Sequence, residues 1–355
     1  MPKLDQKLLD CILESAIQAP SADNQHRIRF RIDGDTIRIR YTEALPTQGG
    51  YKRVLALLSL GAVVENLTIA ASRFGMGAHT TLLPEPPPSG LAIQIRLQPG
   101  HVPIDPLWQA IPLRHTNRYI RFRGPKMTPT EHDELDAAVR VYPNSQLHWL
   151  DEPKQRKHAL HLMRRAETER FHNRILHQEL FSAIRFDRGW NATCPEGLPP
   201  GALAVEPPMR PLFALLRHWP VMRLANLLGA HYMLGLRACD LPCRLAPHLG
   251  LLAVKNADNQ SVFDTGRSFQ RLWLALTTQG RVLQPMPASA LYALGGNSRS
   301  EGISTELQNM LRQGWDYHLK DGIPLIIFRI GFADSLPVVA ARHPAGTYLE
   351  DSHAL

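Results

Sequence analysis

Two apolar stretches of helical length limit the architecture of this 355-residue chain more than anything else in it. Residues 53–74 are apolar almost all the way round, with Gly61 inside and Gly75 as the terminal cap, which is too much apolar surface for a helix facing water. Such a helix belongs at the centre of a core or an interface. Residues 265–278, ending at Gly280, form a second one. Residues 61–75 overlay residues 266–280 without a gap, placing Gly61 on Gly266, Leu67 on Leu272, Ala70 on Ala275 and Gly75 on Gly280. Each copy lies in a similar order of helix, turn and strand. The economical reading is an α+β chain of two related halves, packed as a pseudo-dimer around long central helices; two unrelated buried helices of shared shape are the plainer alternative.

The remaining elements follow from period and punctuation. A helical period runs over residues 4–18 and Pro20 closes it. A loop over 19–25 leads to alternating runs at 29–32 and 36–41 around Asp33-Gly34-Asp35, a hairpin pattern. Strands are expected at 80–83 and 91–97, on either side of the proline cluster 84–88. Thr128, Pro129 and Glu131 spell a capping box for a helix reaching about 141, and 146–150 is a short strand. Pro153 opens a charged helix predicted to continue to about 180. A strand at 249–255, a helix at 305–319 and a strand at 325–332 complete the pattern. The halves are placed at 1–105, the degenerate one, and 106–355. The second carries a Pro-rich insertion at about 189–236 that is expected to fold over a neighbouring site.

Forty basic residues against 32 acidic ones give a formal charge of +8, which favours anionic partners without demanding nucleic acid, since no nucleic-acid module accompanies it. A phosphorylated cofactor satisfies the same sign. Cys11, Cys194, Cys239 and Cys243 form neither a disulfide framework nor paired zinc knuckles and are read as reduced thiols, so no metal is expected. The N-terminus lacks the apolar core of a signal peptide, so a cytoplasmic location is expected. The apolar stretches 54–71 and 211–236 are interrupted, one by Glu65 and Asn66, the other by Arg217, Pro220 and Arg223, so no membrane partner is expected.

The run Arg114-His115-Thr116-Asn117-Arg118 carries the functional signal. Set at the first turn of a helix, its two guanidinium groups would share a face with the Thr116 hydroxyl and the outward backbone donors, a cradle for phosphate. A solvated basic turn is the bland alternative.

Together these residues resemble the nitroreductase-like flavoproteins. Ala19-Pro20-Ser21 followed by Asn24 and Gln25 resembles the family's APS loop, and Arg114 to Arg118 resembles its R-[RHS]-[ST]-x-R run. The helix from Gly266 to Gly280 resembles its G-x-x-x-x-x-L-x-L-A-A-x-x-x-G helix, and Phe328-Arg329-Ile330-Gly331 followed by Arg342 resembles its closing strand and basic residue. The loop precedes the run, an order similar to that of the long single-chain, Acg-type branch, in which two fused halves replace a homodimer. The resemblance implies a nitroreductase-like fold, a monomer acting as a fused dimer, and one FMN. Arg114, Thr116, Arg118 and Arg342 would hold the phosphate with His115 beside them. Pro20, Ser21 and Asn24 would contact the ring, and the backbone at Gln284, Pro285 and Met286 would lie near flavin N5. Arg170, Asn173 and Arg174 are weaker candidates for the pyrimidine edge. The family's Glu-Gly pair is replaced here by Gln284-Pro285-Met286-Pro287, and its aromatic residue after the loop by His26 and Arg27. The implied activity is ping-pong reduction of a small electrophilic acceptor by NAD(P)H, with no catalytic side chain. Two alternatives stay open: a redox-silent FMN holder with the insertion as a lid, and an anion or nucleic-acid binding module without flavin.

Overall fold

The computed structural model describes residues 5–43, 50–84, 91–295 and 302–350. Most of the proline cluster 84–88 lies outside the described residues. Asp5 caps α1 (Gln6–Ile17) by accepting from the Lys7 N–H, and Leu9, Ile12, Leu13, Ala16 and Ile17 form the one apolar stripe that this helix buries. The expected hairpin follows as β1 (Ile28–Asp33) and β2 (Thr36–Tyr41), then α2 (Tyr51–Ser72), β3 (Met76–Pro84) and β4 (Leu91–Pro99). A second series begins with α3 (Pro129–Arg140) and β5 (Gln146–Trp149). It then makes a long excursion through α4 (Pro153–His172), α5 (Arg174–Ser182), α6 (Arg210–Leu215), α7 (Trp219–Asn226), α8 (Ala230–Gly235) and α9 (Leu241–Arg244). It resumes with β6 (His248–Val254), α10 (Asn259–Thr278) and β7 (Val282–Pro285), and closes with α11 (Ala288–Ala293), α12 (Thr305–Leu319) and β8 (Ile323–Gly331).

The two four-stranded sheets have the same order, β1-β2-β4-β3 and β5-β6-β8-β7, and all these pairings are antiparallel. In both halves a helix packs on the long helix that joins the second strand to the third, α1 on α2 and α3 on α10. The fold is therefore α+β, two related halves forming a pseudo-dimer around paired central helices. A two-residue turn joins β1 to β2, whereas residues 150–247 join β5 to β6, and the insertion read at 189–236 lies within that excursion.

The halves meet where α2 crosses α10. A Cβ on Gly61 would stand 2.2 Å from the Phe263 carbonyl oxygen, and one on Gly266 would stand 2.3 Å from the Leu58 carbonyl oxygen. Phe263 and Leu58 each precede their own helix's glycine by one turn. The contact is thus reciprocal, as a two-fold relation requires. Beside the crossing, Glu65 is fully buried and receives Arg267 and Arg271 of α10, each at 2.8 Å. The second sheet is buried on both faces. Leu249, Leu251 and Ile327 join the main core, while Leu252, Ile326, Phe328 and Ile330 pack on Phe269, Leu272 and Trp273 of α10. That is why β6 and β8 read as continuous apolar runs rather than alternating ones.

Two expectations are corrected. The charged helix does not continue unbroken to 180: Asn173 takes an extended conformation, and its Oδ1 accepts from the Ile175 N–H at 2.9 Å to start α5 afresh. The run 114–118 does not open a helix either. A 3-10 helix, Pro106–Leu113, ends at Arg114, and the chain then runs extended, with Thr116 bridging Leu283 of β7 and the Asn117 N–H donating to Leu283 O at 3.2 Å. The run therefore offers no helix N-terminus of its own to a phosphate. Alternation along an extended chain still gives Arg114, Thr116 and Arg118 the same sense.

The capping box forms as read, with the Glu131 N–H donating to Thr128 Oγ1 at 3.2 Å and the Thr128 N–H donating to Glu131 at 2.7 Å. Arg281 also donates to Glu131, at 2.6 Å; that bond first, and the Thr128 N–H second, hold the Glu131 carboxyl down at about 2. A carboxyl depressed in the folded state contributes stability above its unfolded value near 4.5 and loses it as pH falls through about 2. Glu131→Gln is accordingly expected to be less stable than the parent at pH 7 and to converge with it in acid. Urea titrations at both pH values check this, and equal stability at pH 7 would refute it.

Candidate functional site

The last carbonyls of α1 are met by two arginines from distant parts of the chain. Arg114 donates to Gln18 O at 2.9 Å, while Arg342 donates to Ile17 O and to Ala19 O, both at 2.9 Å. Cations at a helix C-terminus are favoured by its dipole. Arg114 is only 5% exposed and lies over the Trp273 ring at 4.4 Å, which ties α10 into the same place. Burial, and then the neighbouring Arg342, bring its pKa down to about 9; burial brings Arg342 to about 10.

Beyond α1 the loop is strained. Asp23 and Asn24 have φ of 52° and 56°, consecutive left-handed positions without glycine, each costing roughly 1–3 kcal/mol. Side-chain hydrogen bonds hold Asn24 there. Asn24 accepts from Arg342, and its amide donates to Gly197 O at 3.0 Å, Pro195 O at 3.3 Å and Ala341 O at 3.4 Å. The Gly197 N–H returns a bond to Asn24 O at 3.2 Å, the Ala341 N–H donates to Cys194 O at 3.0 Å, and Arg118 donates to Ala202 O at 3.3 Å. Residues 194–202 are therefore pinned across both the loop and the arginine run. Among the described residues, Ser21 Oγ, His26 Nε2 and Arg114 Nε are buried atoms with no hydrogen-bond partner. Burial, then Arg342 and Arg114, hold His26 neutral with a pKa of about 3. Burial raises the Asp23 carboxyl against the pull of Arg170, and lowers Arg118 to about 10 against the pull of Asp23.

The structure thus gathers Ser21, Asn24, Arg114, Arg118 and Arg342, with Pro20 in the same loop, at the end of α1. His115 is exposed. Gln284 and Pro285 end β7 and Met286 follows it directly, the strand being joined to the run through the Thr116 bridge to Leu283. Gln284 Oε1 accepts from the buried Arg329 at 2.8 Å, and the Met286 N–H donates to Ile327 O at 2.7 Å. Arg170 pairs with Glu167 at 3.4 Å and donates to the Tyr292 hydroxyl; Asn173 is engaged as a cap and Arg174 is exposed.

Sequence reading missed Trp273 and the α1 carbonyls, for which a ring facing an arginine leaves no spacing signal. It also missed His132, Asp151 and His248, whose ligand atoms all lie within 4.8 Å of one another although they come from three segments. His248 is 1% exposed, accepts the Met127 N–H on Nε2 at 2.8 Å and donates from Nδ1 to Asp151. With both ring nitrogens engaged, this group acts as a hydrogen-bonded pin that ties the start of β6 to the 124–128 loop.

No protein-family model matches the chain, and no curated protein matches it significantly. Solved structures similar to it include the FMN-dependent nitroreductase NfnB of Mycobacterium smegmatis in complex with NADPH, at 17% identity and a TM-score of 0.34, over 64% of this chain and 86% of that one. A nitroreductase-like family protein of Bacillus cereus is similar at 11% identity and a TM-score of 0.37, over 70% and 97%. A nitroreductase with bound FMN from Bacteroides fragilis is similar at 9% identity and a TM-score of 0.33, over 65% and 89%.

Proposed function

We propose that this chain is an FMN-binding oxidoreductase of the nitroreductase type, in which residues 1–105 and 106–355 are the fused halves and one flavin is held where they meet. The reading rests on one observation. Arg114 and Arg118 of one run converge with Arg342 from near the other end of the chain, burial lowers the pKa of each, and among the described residues no carboxylate forms an ion pair with any of them, Asp23 acting on Arg118 only from beyond ion-pair distance. Cations desolvated with so little counter-charge are costly, and a phosphate would supply that charge. The orphaned Arg114 Nε and Ser21 Oγ are further donors suited to the same ligand. Arg114, Thr116, Arg118 and Arg342, with His115 beside them, would take the phosphate; Pro20, Ser21 and Asn24 would face the ring, and 284–286 would border it. Bound FMN would supply hydride chemistry at N5, taking reducing equivalents from NAD(P)H and passing them to a small electrophilic acceptor. The chain's part is to bind, orient and exclude water, and no side chain is required as acid or base.

A second reading, a redox-silent FMN holder, is favoured by the pinning of residues 194–202 and by the Met286 N–H being engaged with Ile327 O. Absorption spectra separate the two. Protein loaded with FMN should bleach under NADPH if it turns over, whereas a covered flavin stays yellow under NADPH and yields only to dithionite. Protein that stays colourless after incubation with FMN refutes both. Replacing Arg114 and Arg118 by alanine should weaken FMN binding by about a hundredfold or more, given about 1.5–3 kcal/mol for each charge-assisted bond. Fluorescence titration measures this, with circular dichroism checking that the fold persists.

A further inference from the structure

Residues 207–239 contain no aspartate or glutamate but four arginines, Arg210, Arg217, Arg223 and Arg237. They fold as α6, α7, α8 and the turns between them, and their inner side is well used: Leu216 and Met222 are buried in a cluster with Phe171, Phe181, Ile184 and Leu198. Helices laid on a protein surface ordinarily turn polar residues outward. Here Leu224, Leu227 and Leu228, at the one-turn spacing along the end of α7, are 67%, 80% and 92% exposed. Tyr232 and Met233 of α8 are exposed beside them in sequence, and Leu212 and Leu215 repeat the spacing on α6. Single exposed leucines need no explanation; a segment apolar on both sides does. Arg217 and Arg223 are exposed within it, and α4, on which α8 packs, adds the exposed Arg164 and Arg165.

We propose that this surface docks on an anionic phospholipid bilayer, with the leucines entering the boundary between headgroups and acyl chains and the arginines meeting lipid phosphates. The charge decides the occupant. A second copy of the chain seated on this face would oppose Arg217 and Arg223 to their own duplicates, with no acidic residue in 207–239 to offset them. An anionic lipid surface supplies the missing sign. Among the described helices only α2 is long and apolar enough to cross a membrane, and it is mostly buried in the core, so the attachment is peripheral. Docking of this kind departs from the expectation of no membrane partner, which rests on the lack of a spanning stretch and is silent on peripheral attachment. Arg217, Pro220 and Arg223 disqualify 211–236 as a span, and the stretch folds as the short helices α6, α7 and α8, able to lie in the interface plane.

The test is sedimentation of the full chain with vesicles of phosphatidylglycerol and phosphatidylcholine in equal parts, against phosphatidylcholine alone. Binding to the anionic vesicles is expected to be about tenfold or more tighter, and to weaken as salt is raised. Leu227→Asp with Leu228→Asp should reduce it by about tenfold or more without moving the thermal transition, because both side chains are in solvent, and Arg217→Glu with Arg223→Glu should do the same. Failure to bind, binding untouched by either pair, or equal binding to neutral vesicles overturns the proposal. So does a solution dimer that Leu227→Asp with Leu228→Asp dissociates, or binding to polyglutamate in place of vesicles. The result is independent of the flavin reading, since vesicle binding needs no FMN.

Discussion

Replacing Gly266 by valine is expected to destabilise the protein by about 3 kcal/mol or more, one of the largest effects of any single apolar substitution in the chain. A Cβ there meets the carbonyl oxygen, Cα and carbonyl carbon of Leu58 at 2.3, 2.8 and 2.9 Å. These are backbone atoms of a helix buried on nearly every face, so no side chain can swing aside. The helices would have to separate by roughly an ångström along their contact, loosening close packing on both sides of the crossing. Alanine should cost less, because it recovers about 1 kcal/mol of helix propensity. Gly61→Val should match Gly266→Val, since its Cβ meets Phe263 O at 2.2 Å in the reciprocal position. The double variant should cost clearly less than the sum, because helices already forced apart accommodate the second side chain. Denaturant midpoints at unchanged slope measure all of these. An alanine variant more stable than the parent would show that the crossing is loose and would remove the reason for both glycines.

The same pair of glycines explains why the architecture was legible from sequence. A residue whose side chain must be absent at a backbone contact leaves a mark that survives in both halves, and so do the apolar faces of α1, α2 and α10. The order of strands in the second half was harder to read. The excursion between β5 and β6 separates strands that a two-residue turn joins in the first half, and the hydrogen-bonding power of Asn173, which ends α4, depends on where its side chain points. The arginine run was noticed for its composition, yet its conformation was misjudged. Helix and extended chain both bring Arg114 and Arg118 to one side, and the bridge to Leu283 that chooses between them comes from a strand far along the sequence. Asn24 likewise stood out in the loop, whereas its bonds to Pro195, Gly197 and Ala341 are contacts between segments and have no local signature.

Glu65→Leu is expected to cost about 3–5 kcal/mol, and the reason is the charge left behind rather than the bond lost. Glu65 is fully buried, and it accepts from Arg267 Nε at 2.8 Å, from Arg271 Nη1 at 2.8 Å and from the Tyr142 hydroxyl. Arg271 has a second carboxylate, Asp105, at 2.8 Å, but among the described residues Arg267 has otherwise the Thr68 hydroxyl at 3.2 Å and the Tyr142 ring at 4.6 Å. Removing Glu65 therefore strands Arg267, whose side chain is 11% exposed, in a low-dielectric crossing. A buried ion pair by itself adds little net stability, because desolvating both partners offsets their attraction. It follows that Glu65→Leu combined with Arg267→Met should recover most of the loss, whereas Arg271→Met should recover less, since Arg271 keeps Asp105. A double-mutant cycle read by urea denaturation measures the coupling. If the Arg267→Met background rescues nothing, Glu65 acts through its shape and its bond to Tyr142, and the ion pair is not what locks α2 to α10.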